Sequence, residues 1–423
     1  MIFFYNIGII LYGLMIQIIS LFNPKAKLWL SGRKNILDKI TTTLQNENRP
    51  VIWFHCASLG EFEQGRPILD TIYQKYSEYA IVLTFFSPSG YEVRKNYKQA
   101  DYIFYLPMDT VKNAKRFLAI VKPSIAVFVK YEFWLNYLNE ITKQKIPAVL
   151  ISAKFRYNQL FFKWYGRFYQ KAIFAFEHIF VQDQTSYNLL KKINYPFVTV
   201  SGDTRFDRVV EIAKNPKEIP VLNQFTEEKF TIIAGSTWEK DEEIIANFFQ
   251  KHQEKKLRLI IAPHEVYQKH LYQIKDLFKE PVLFYSQLIK KSQQTVTSRI
   301  ILIDKIGLLS SVYQYGTIAY VGGGFGKGIH NILEPATFGL PVVFGPNYHK
   351  FNEATELIRH KGGFSVKDKY EFDSCIERLF TNEKLLKDTG TNSKFFVRDN
   401  CGAKQKILAY ILNIQKKIST KKS

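Results

Sequence analysis

The chain has 423 residues, and its 59 Lys and Arg against 38 Asp and Glu give a formal charge of +21. This length predicts two domains rather than one core, and 46% hydrophobic with 23% charged residues exclude a disordered chain. The positive field would attract nucleic acid, an anionic membrane surface or an acidic substrate, and charge alone does not choose among them. Three cysteines without CxxC or zinc-type spacing predict a reducing, cytosolic body without structural zinc.

An uncharged, mostly apolar stretch opens the chain, because the first charged side chain is Lys25. A helix of about 22 residues rising ~1.5 Å each would be ~33 Å long, enough to cross a bilayer core. Basic residues follow, which by the positive-inside tendency leaves the body on the cytoplasmic side. A cleaved signal peptide would need a basic start and a small-x-small cleavage site, and neither is present. We predict a membrane anchor over residues 1–23, which either spans the bilayer or lies in its interface as a monotopic hairpin would.

Short β-rich runs alternate with helical patterns from residue 51 onward, which is typical of parallel βαβ units. The strands predicted before residue 214 are Val51–Cys56, Ile81–Phe86, Tyr102–Tyr105, Ile125–Val129, Ala148–Ile151, Ile179–Val181 and Val198–Val200. A second alternation follows a polar segment that contains two prolines. Its predicted strands are Phe230–Ala234, Arg258–Ile261, Val282–Phe284, Ile300–Ile303, Ile318–Val321, Val342–Phe344 and a short strand near Phe364.

The fold class is therefore α/β, with two Rossmann-like, doubly wound lobes that face a central cleft. We predict an anchor over 1–23, an N-terminal domain over 24–213, a linker over 214–229 and a C-terminal domain over 230–423, with the last helix free to pack back on the N-terminal lobe. Ligands in such sheets bind beyond the carboxyl ends of the strands. The loops that follow the strands are therefore the candidates for chemistry.

Ser58-Leu59-Gly60-Glu61 is the first such loop, and it opens a helix. In the first helical turn Glu61 would complement the helix dipole, which is the commoner role of such a residue. At the carboxyl end of a strand its carboxylate would instead accept a proton from an attacking hydroxyl. Ser87-Pro88-Ser89-Gly90 would bind an anion or cap a helix. The segment from Lys130 to Trp134 would contact a sugar or lipid, or pack the start of an amphipathic helix.

In the second half, Gly235-Ser236-Thr237 suits a phosphate, although such loops are also common caps. A glycine-rich run from Gly322 to Pro335 follows a predicted strand, and so much backbone freedom serves close approach to a ligand. The run satisfies neither the Walker A nor the GxGxxG pattern, so both common nucleotide fingerprints fail. The sequence also contains no Asp-x-Asp, the usual carboxylate pair for a metal-bound sugar diphosphate. We predict a site without metal or cofactor.

In this order the loops resemble those of the 3-deoxy-D-manno-octulosonic acid (Kdo) transferases, a family with the GT-B fold. The resemblance runs from the anchor to about residue 360. Its motifs are Ser58–Glu61, Ser87–Gly90, Tyr105–Asp109, Lys130–Asn136, Gly202–Asp207, Ala234–Thr237 and Gly322–Pro335. The chain departs from the family pattern in three places: Lys130 stands where the family has an acidic residue, Pro263-His264-Glu265 lacks an arginine, and Gly328-Ile329 alters the entrance to the His-Asn-x-x-Glu-Pro core.

The resemblance implies transfer of Kdo from CMP-Kdo to a lipid A precursor, with inversion at the anomeric carbon. Glu61 would be the general base. The donor would be bound by Gly235, Ser236, Thr237, His264, Gly323, Gly324, His330, Asn331 and Glu334. The acceptor side would consist of Ser58, Gly60, Ser87, Ser89, Gly90, Glu132 and Trp134. The implied partners are these two substrates and the cytoplasmic face of the inner membrane, to which the anchor and the positive charge are suited.

Two alternatives stay open at this point. Another GT-B enzyme would use a UDP-sugar and a lipid acceptor. A non-enzymatic, basic protein would bind a membrane or nucleic acid, but the aromatic and basic residues form no RNP or helix-turn-helix pattern, so we expect no nucleic acid partner. The sequence does not indicate how many Kdo residues are added.

Overall fold

The computed structural model describes residues 2–254, 256–289 and 298–420, with side chains of the last helix as far as Lys416. The chain forms two compact units. The first comprises Met1–Asp207 and Cys401–Ser423, and the second comprises Arg208–Asn400.

Each unit contains one sheet of parallel strands within the described ranges. The strands are β1 Val51–Cys56, β2 Ala80–Phe85, β3 Tyr102–Tyr105, β4 Pro123–Val129, β5 Ala148–Ala153, β6 His178–Val181, β7 Val198–Val200, β8 Phe230–Thr237, β9 Leu257–Pro263, β10 Val282–Phe284, β11 Ile300–Leu302, β12 Ile318–Val321, β13 Val342–Phe344 and β14 Gly363–Ser365. In the first unit the strand order is β3-β2-β1-β4-β5-β6-β7, and in the second it is β10-β11-β9-β8-β12-β13-β14. The central strands are buried on both faces, which explains why their sequences are continuous apolar runs rather than alternating ones.

Helices connect the strands and cover both sheets. Short 3-10 helices occur at Leu160–Phe162, Trp164–Gly166 and Tyr313–Tyr315. The α-helices are α1 Ile2–Ile19, α2 Pro24–Ser31, α3 Ile36–Leu44, α4 Leu59–Lys75, α5 Pro88–Arg94, α6 Val111–Val121, α7 Leu135–Lys143, α8 Arg167–Phe174, α9 Gln184–Lys192, α10 Thr204–Lys214, α11 Pro220–Thr226, α12 Glu239–Lys251, α13 Gln268–Leu277, α14 Tyr285–Leu288, α15 Leu309–Val312, α16 Leu333–Thr337, α17 Asn352–Arg359, α18 Lys369–Thr381, α19 Glu383–Asp399 and α20 Ala403–Thr420.

The first sheet packs a hydrophobic layer on each face. One layer is centred on Trp53 and Phe128, and the other on Phe54 and Phe62. The second layer includes Ile407, Ile411 and other residues of α20. The C-terminal helix is therefore part of the first unit.

The second unit begins before the segment that we predicted as a linker. Residues 214–229 contain α11, and its Leu222 and Phe225 are buried in the core beneath β8 and β9. The change from one unit to the other falls between Asp207 and Arg208, within α10. The predicted linker therefore contains a helix whose apolar side chains are buried in the second unit, although its prolines and polar residues are typical of a connecting segment.

Helix α1 is the one helix among the described residues that is long and apolar enough to cross a membrane. One side of it is attached to the first unit, where the Tyr5 hydroxyl donates to Asp109 Oδ2 at 2.5 Å and Asn136 Nδ2 donates to Asn6 Oδ1 at 2.8 Å. Gly13 packs directly on Met108. The other side exposes large apolar side chains, among them Phe3, Phe4, Leu11, Leu14 and Ile18.

Candidate active site

Three loops of the first unit lie at the carboxyl ends of adjacent strands. Ser58 follows β1, Ser87 follows β2 and Glu132 follows β4, and these strands are neighbours in the sheet. The Ser87 N–H donates to the Ala57 carbonyl at 2.7 Å, which joins the first two loops directly. Parallel strands bring these residues to one edge because all their carboxyl ends point the same way.

Glu61 lies in the first turn of α4, where Ser58 is the N-cap residue. Its Oε2 accepts the Ser58 backbone N–H at 3.0 Å and also the Ser58 hydroxyl. Its Oε1 accepts no hydrogen bond from any residue in the described ranges. One carboxylate oxygen therefore caps the helix while the other has no partner among these residues, so the structural role of Glu61 does not exclude the predicted catalytic one.

The other predicted acceptor residues differ in exposure. Gly60 and Ser89 are exposed, and Ser89 donates its N–H to the Ser87 hydroxyl oxygen at 3.3 Å. Gly90 is buried, and a side chain there would come within 2.3 Å of the Phe85 ring. Ser87 is thus the N-cap of a short helix, and Gly90 allows that helix to pack closely on the sheet.

Glu132 belongs to a buried polar network. Its Oε2 accepts the Trp134 indole N–H at 2.6 Å and lies 3.0 Å from His55 Nε2. The opposite nitrogen of His55 lies 2.9 Å from the Thr84 hydroxyl. Sequence reasoning missed His55, although a histidine inside the otherwise apolar strand β1 was a signal. The network fixes the orientation of Glu132 and of the Trp134 ring.

Three carboxylates act on Cys56, the last residue of β1. Burial raises the pKa of the Cys56 thiol, and the negative charges of Glu61, Glu132 and Glu63 raise it further. Burial also raises the pKa of the Tyr131 hydroxyl. Because the charges of Glu61 and Glu132 both act on Cys56, the two carboxylates share one region of the first unit.

In the second unit the predicted donor segments lie at the carboxyl ends of adjacent strands, β9, β8 and β12. Gly235, Ser236 and Thr237 are the last residues of β8 rather than the loop after it, whereas His264 and Gly322 directly follow β9 and β12. The Gly322 N–H donates to the Gly235 carbonyl at 2.9 Å, and the His264 N–H donates to the Thr237 carbonyl at 3.0 Å. Ser236 adopts a left-handed conformation with φ of 54°, at the bulge between β8 and β9. The structure thus brings together the three segments that the sequence separates.

The glycine-rich run is held by Asp241, a buried residue of α12. Its carboxylate accepts the N–H of Gly323 at 2.8 Å, the N–H of Trp238 at 2.9 Å and the hydroxyl of Tyr320 at 2.6 Å. Burial raises the pKa of this carboxyl group. Sequence reasoning recognised only an acidic helix here. Gly323 itself has φ of 90°, which favours glycine, whereas its neighbour Gly324 is packed against the backbone of Gly345.

Thr237 is fully buried, and its hydroxyl donates to Glu242 Oε1 at 2.8 Å. The other oxygen of Glu242 lies 3.0 Å from His270 Nε2. At the start of α16, Asn331 Nδ2 donates to Glu334 Oε1 at 3.0 Å, and Asn331 Oδ1 accepts the Leu333 N–H at 3.1 Å. The buried Thr237 side chain therefore fixes the end of β8 through its hydrogen bond to Glu242. The side chains of Asn331 and Glu334 are hydrogen-bonded to each other.

Three aromatic rings stack beside these loops. The ring centroids of Trp238 and His264 are 4.7 Å apart, and those of His264 and His330 are 4.4 Å apart. The Trp238 indole donates its N–H to His330 Nε2 at 2.9 Å, so the neutral imidazole of His330 carries its proton on Nδ1. Trp238 was not among the predicted site residues, although it directly follows Thr237.

The stack makes the second unit sensitive to acid. Burial and, to a smaller extent, the neighbouring His264 lower the pKa of His330 from 6.5 to about 4. Since the unfolded chain then binds this proton more tightly, stability is fully present above the unfolded pKa and is lost as the pH falls from about 6.5 to about 4. We expect the urea midpoint to fall less over this range in His330→Gln than in the unchanged protein. Equal slopes would contradict this role. Burial lowers the pKa of His178 to about 4 in the first unit, so His178→Gln should reduce the acid sensitivity of that unit in the same way.

No group of three His, Cys, Asp or Glu side chains in the described part of the chain is placed to hold a metal ion. The polar groups offered by the two sets of loops are backbone N–H groups, a carboxylate, hydroxyls and imidazoles. Such groups bind anions and hydroxyls and transfer protons.

Comparison with known proteins agrees with this arrangement. The sequence model of the family described as 3-Deoxy-D-manno-octulosonic-acid transferase (kdotransferase) matches residues 33–208. A 3-deoxy-D-manno-octulosonic acid transferase of Aquifex aeolicus is 30% identical over 79% of this chain and 88% of its own length. One from Rickettsia bellii is 28% identical over 88% of both chains.

A crystal structure of MurG from Acinetobacter baumannii is similar with a TM-score of 0.55 and 12% identity, covering 86% of this chain and 99% of that one. At such low identity the similarity supports the fold alone, which is the predicted GT-B class. The predicted fold class is thus confirmed. The strand-end loops of both units and the identity to the Aquifex relative give the same answer: the chain belongs to the 3-deoxy-D-manno-octulosonic acid (Kdo) transferases and is a glycosyltransferase.

Proposed function

We propose that the chain transfers Kdo from CMP-Kdo to a lipid A precursor in lipopolysaccharide synthesis and releases CMP. The observation that carries this proposal is the placement of Glu61 at the carboxyl end of β1, with one carboxylate oxygen capping α4 and the other open. Ser87 and Glu132 follow the two neighbouring strands, so a polar acceptor would meet all three loops.

In the proposed reaction the acceptor hydroxyl oxygen attacks the anomeric carbon of Kdo while the bond from that carbon to the CMP phosphate oxygen breaks. The hydroxyl proton passes to Glu61, and the electron pair of the broken bond leaves with CMP. Attack from the face opposite the leaving group inverts the anomeric configuration. The hydrogen bonds from Ser58 orient the Glu61 carboxylate, which supplies the geometry that general-base catalysis requires.

The second unit is the proposed donor site. In this proposal Gly235, Ser236, Gly323 and Gly324 line the donor site with little side-chain bulk. A phosphate would bind at backbone N–H groups of these segments other than that of Gly323, which donates to Asp241. The stacked rings of Trp238, His264 and His330 offer a flat aromatic surface for a base or sugar face. Glu334 would accept hydrogen bonds from ribose hydroxyls, and the Asn331 amide would donate to them.

We further propose that α1 anchors the protein at the cytoplasmic face of the inner membrane. Its outer side is apolar, and Lys25, Lys27 and Lys34 follow it closely. Basic residues at that position attract anionic lipids and the phosphates of a lipid A precursor. The net charge of +21 acts in the same direction.

The test is transfer by purified protein in detergent, with CMP-Kdo and a lipid A precursor in one reaction and UDP-sugars in another. With CMP-Kdo we expect CMP release and a lipid product whose mass has increased by whole Kdo residues. With UDP-sugars we expect no transfer. The same spectrum counts the residues added, and the NMR couplings and shifts of the product report the anomeric configuration. Turnover only with a UDP-sugar would reject the proposal.

A further inference from the structure

An apolar groove lies between α1, α2 and the loop after β2, all in the first unit. It has a volume of about 380 Å³ and is lined by Tyr12, Met15, Ile16, Ala26, Trp29 and Phe86, with Lys25 at its rim. We call it the α1–α2 groove. Met15 is 51% exposed and forms part of its wall, so the groove is continuous with the apolar outer side of α1.

Trp29 contributes an unusual feature to the wall of this groove. Its side chain is 4% exposed, yet its indole N–H has no hydrogen-bond partner among the described residues. The guanidinium of Arg33 lies 3.7 Å from the centroid of the Trp29 ring and is itself engaged by the carbonyls of Leu106 and Phe86 at 2.9 and 2.7 Å. A buried donor without an acceptor is unfavourable, and a ligand oxygen that reached this N–H from the groove would remove that cost.

The inner end of the groove meets the candidate acceptor loops. The Phe86 ring contacts Trp134 with centroids 4.4 Å apart, and Trp134 donates to Glu132. Ser87, which also lines the groove, is bonded to Ala57 beside Ser58. A molecule in the groove therefore extends from the apolar side of α1 to the loops that hold Ser58 and Glu132.

We propose that the α1–α2 groove binds one acyl chain of the glycolipid acceptor, and that the Trp29 N–H donates to the ester or amide carbonyl at the head of that chain. This inference rests on the proposed function. The apolar lining matches the chain, the unpaired donor matches its carbonyl, and Lys25 suits an anionic head group. A lipid of the surrounding bilayer would have no reason to reach Ser87, whereas the acceptor must reach these loops to react.

The test compares two acceptors and two matched variants. Ile16→Trp fills the groove, whereas Ile18→Trp places the same ring on the outer side of the same helix, where Ile18 is 65% exposed. We expect Ile16→Trp to raise KM for the acylated precursor by about tenfold or more. Its KM for the fully deacylated, water-soluble sugar phosphate and for CMP-Kdo should stay the same, and Ile18→Trp should change none of these constants. An equal rise with both acceptors, or equal effects of the two variants, would overturn the inference.

Trp29→Phe gives a second, independent measurement, because it keeps the aromatic ring beneath Arg33 and removes the N–H. We expect weaker equilibrium binding of the radiolabelled acylated precursor in micelles, by about fivefold, the size of one neutral hydrogen bond. Thermal stability without lipid is the check on packing, because the smaller ring leaves buried space while the unpaired buried donor is removed. Unchanged binding would overturn the role of Trp29. If the unchanged protein binds the acylated precursor, and Ile16→Trp but not Ile18→Trp weakens this binding, yet neither the unchanged protein nor any variant glycosylates it, the groove is supported and the proposed function fails.

Discussion

Replacement of Glu61 by Gln is expected to reduce kcat for transfer by about 10²–10⁴-fold, the usual contribution of a general base. The amide oxygen of Gln can still accept the Ser58 N–H that now bonds to Glu61 Oε2 at 3.0 Å, so α4 keeps its cap. What the variant loses is a group that accepts a proton. Initial rates of CMP release with saturating substrates measure the effect, and circular dichroism with thermal unfolding checks the fold.

Glu63→Gln is the matched control on the same helix. Glu63 is paired with Arg94 at 2.7 Å and Arg66 at 3.7 Å, and such partly exposed pairs contribute little to stability. We expect its kcat to remain within a few-fold of the unchanged protein. Near-normal turnover of Glu61→Gln would reject Glu61 as the base, and equal losses in both variants would indicate a general effect of charge at this edge of the sheet.

The second large effect is expected for Gly322→Ala at the end of β12. An added Cβ atom would lie 2.3 Å from the Ser236 carbonyl oxygen and 2.6 Å from Thr237 Cα. Backbone atoms of a paired strand cannot yield as a flexible side chain can, so the loops after β8 and β12 must separate. We expect the free energy of unfolding to fall by about 1–3 kcal/mol. The kcat/KM for CMP-Kdo should fall by about 10²-fold, because small displacements of binding groups have effects of this size.

Gly326→Ala tests whether any alanine in the glycine-rich run has this effect. Gly326 is exposed, and the nearest atom to its added Cβ is the Gly323 carbonyl oxygen at 3.7 Å, an ordinary contact. Urea unfolding and donor kinetics of this variant should match the unchanged protein. If Gly322→Ala behaves like Gly326→Ala, the close approach of the two loops is not what holds the donor site together.

The strands were largely predictable because each is an apolar run buried on both faces. Predicted and observed bounds agree for β1, β3, β7 and β12, among others. β8 and β9 are longer than predicted, extending to Thr237 and Pro263. Glycine, serine and proline there suggested turns from local preference, but pairing between the two strands continues across the bulge after Gly235. Long-range pairing prevailed over local propensity.

The contacts that shape the site were less accessible to sequence reasoning. The partner of His55 is Glu132, 77 residues away, and the partner of Asp241 is Gly323, 82 residues away. No local pattern relates such residues, so His55 was simply part of a strand and Asp241 simply part of an acidic helix. The loop motifs, by contrast, lie at the carboxyl ends of their strands. The alternation of strand and helix patterns along the sequence was therefore enough to predict where they fall.

Helix α1 is fixed to the first unit by the hydrogen bonds of Tyr5 and Asn6 rather than hanging from a flexible connection. With α1 in the membrane, the height of Glu61 above the lipid head groups is then set by the fold itself. Such an enzyme would not need to change its distance from the membrane to reach its lipid substrate. It would diffuse along the membrane surface at constant height and would meet the acceptor by diffusion in two dimensions.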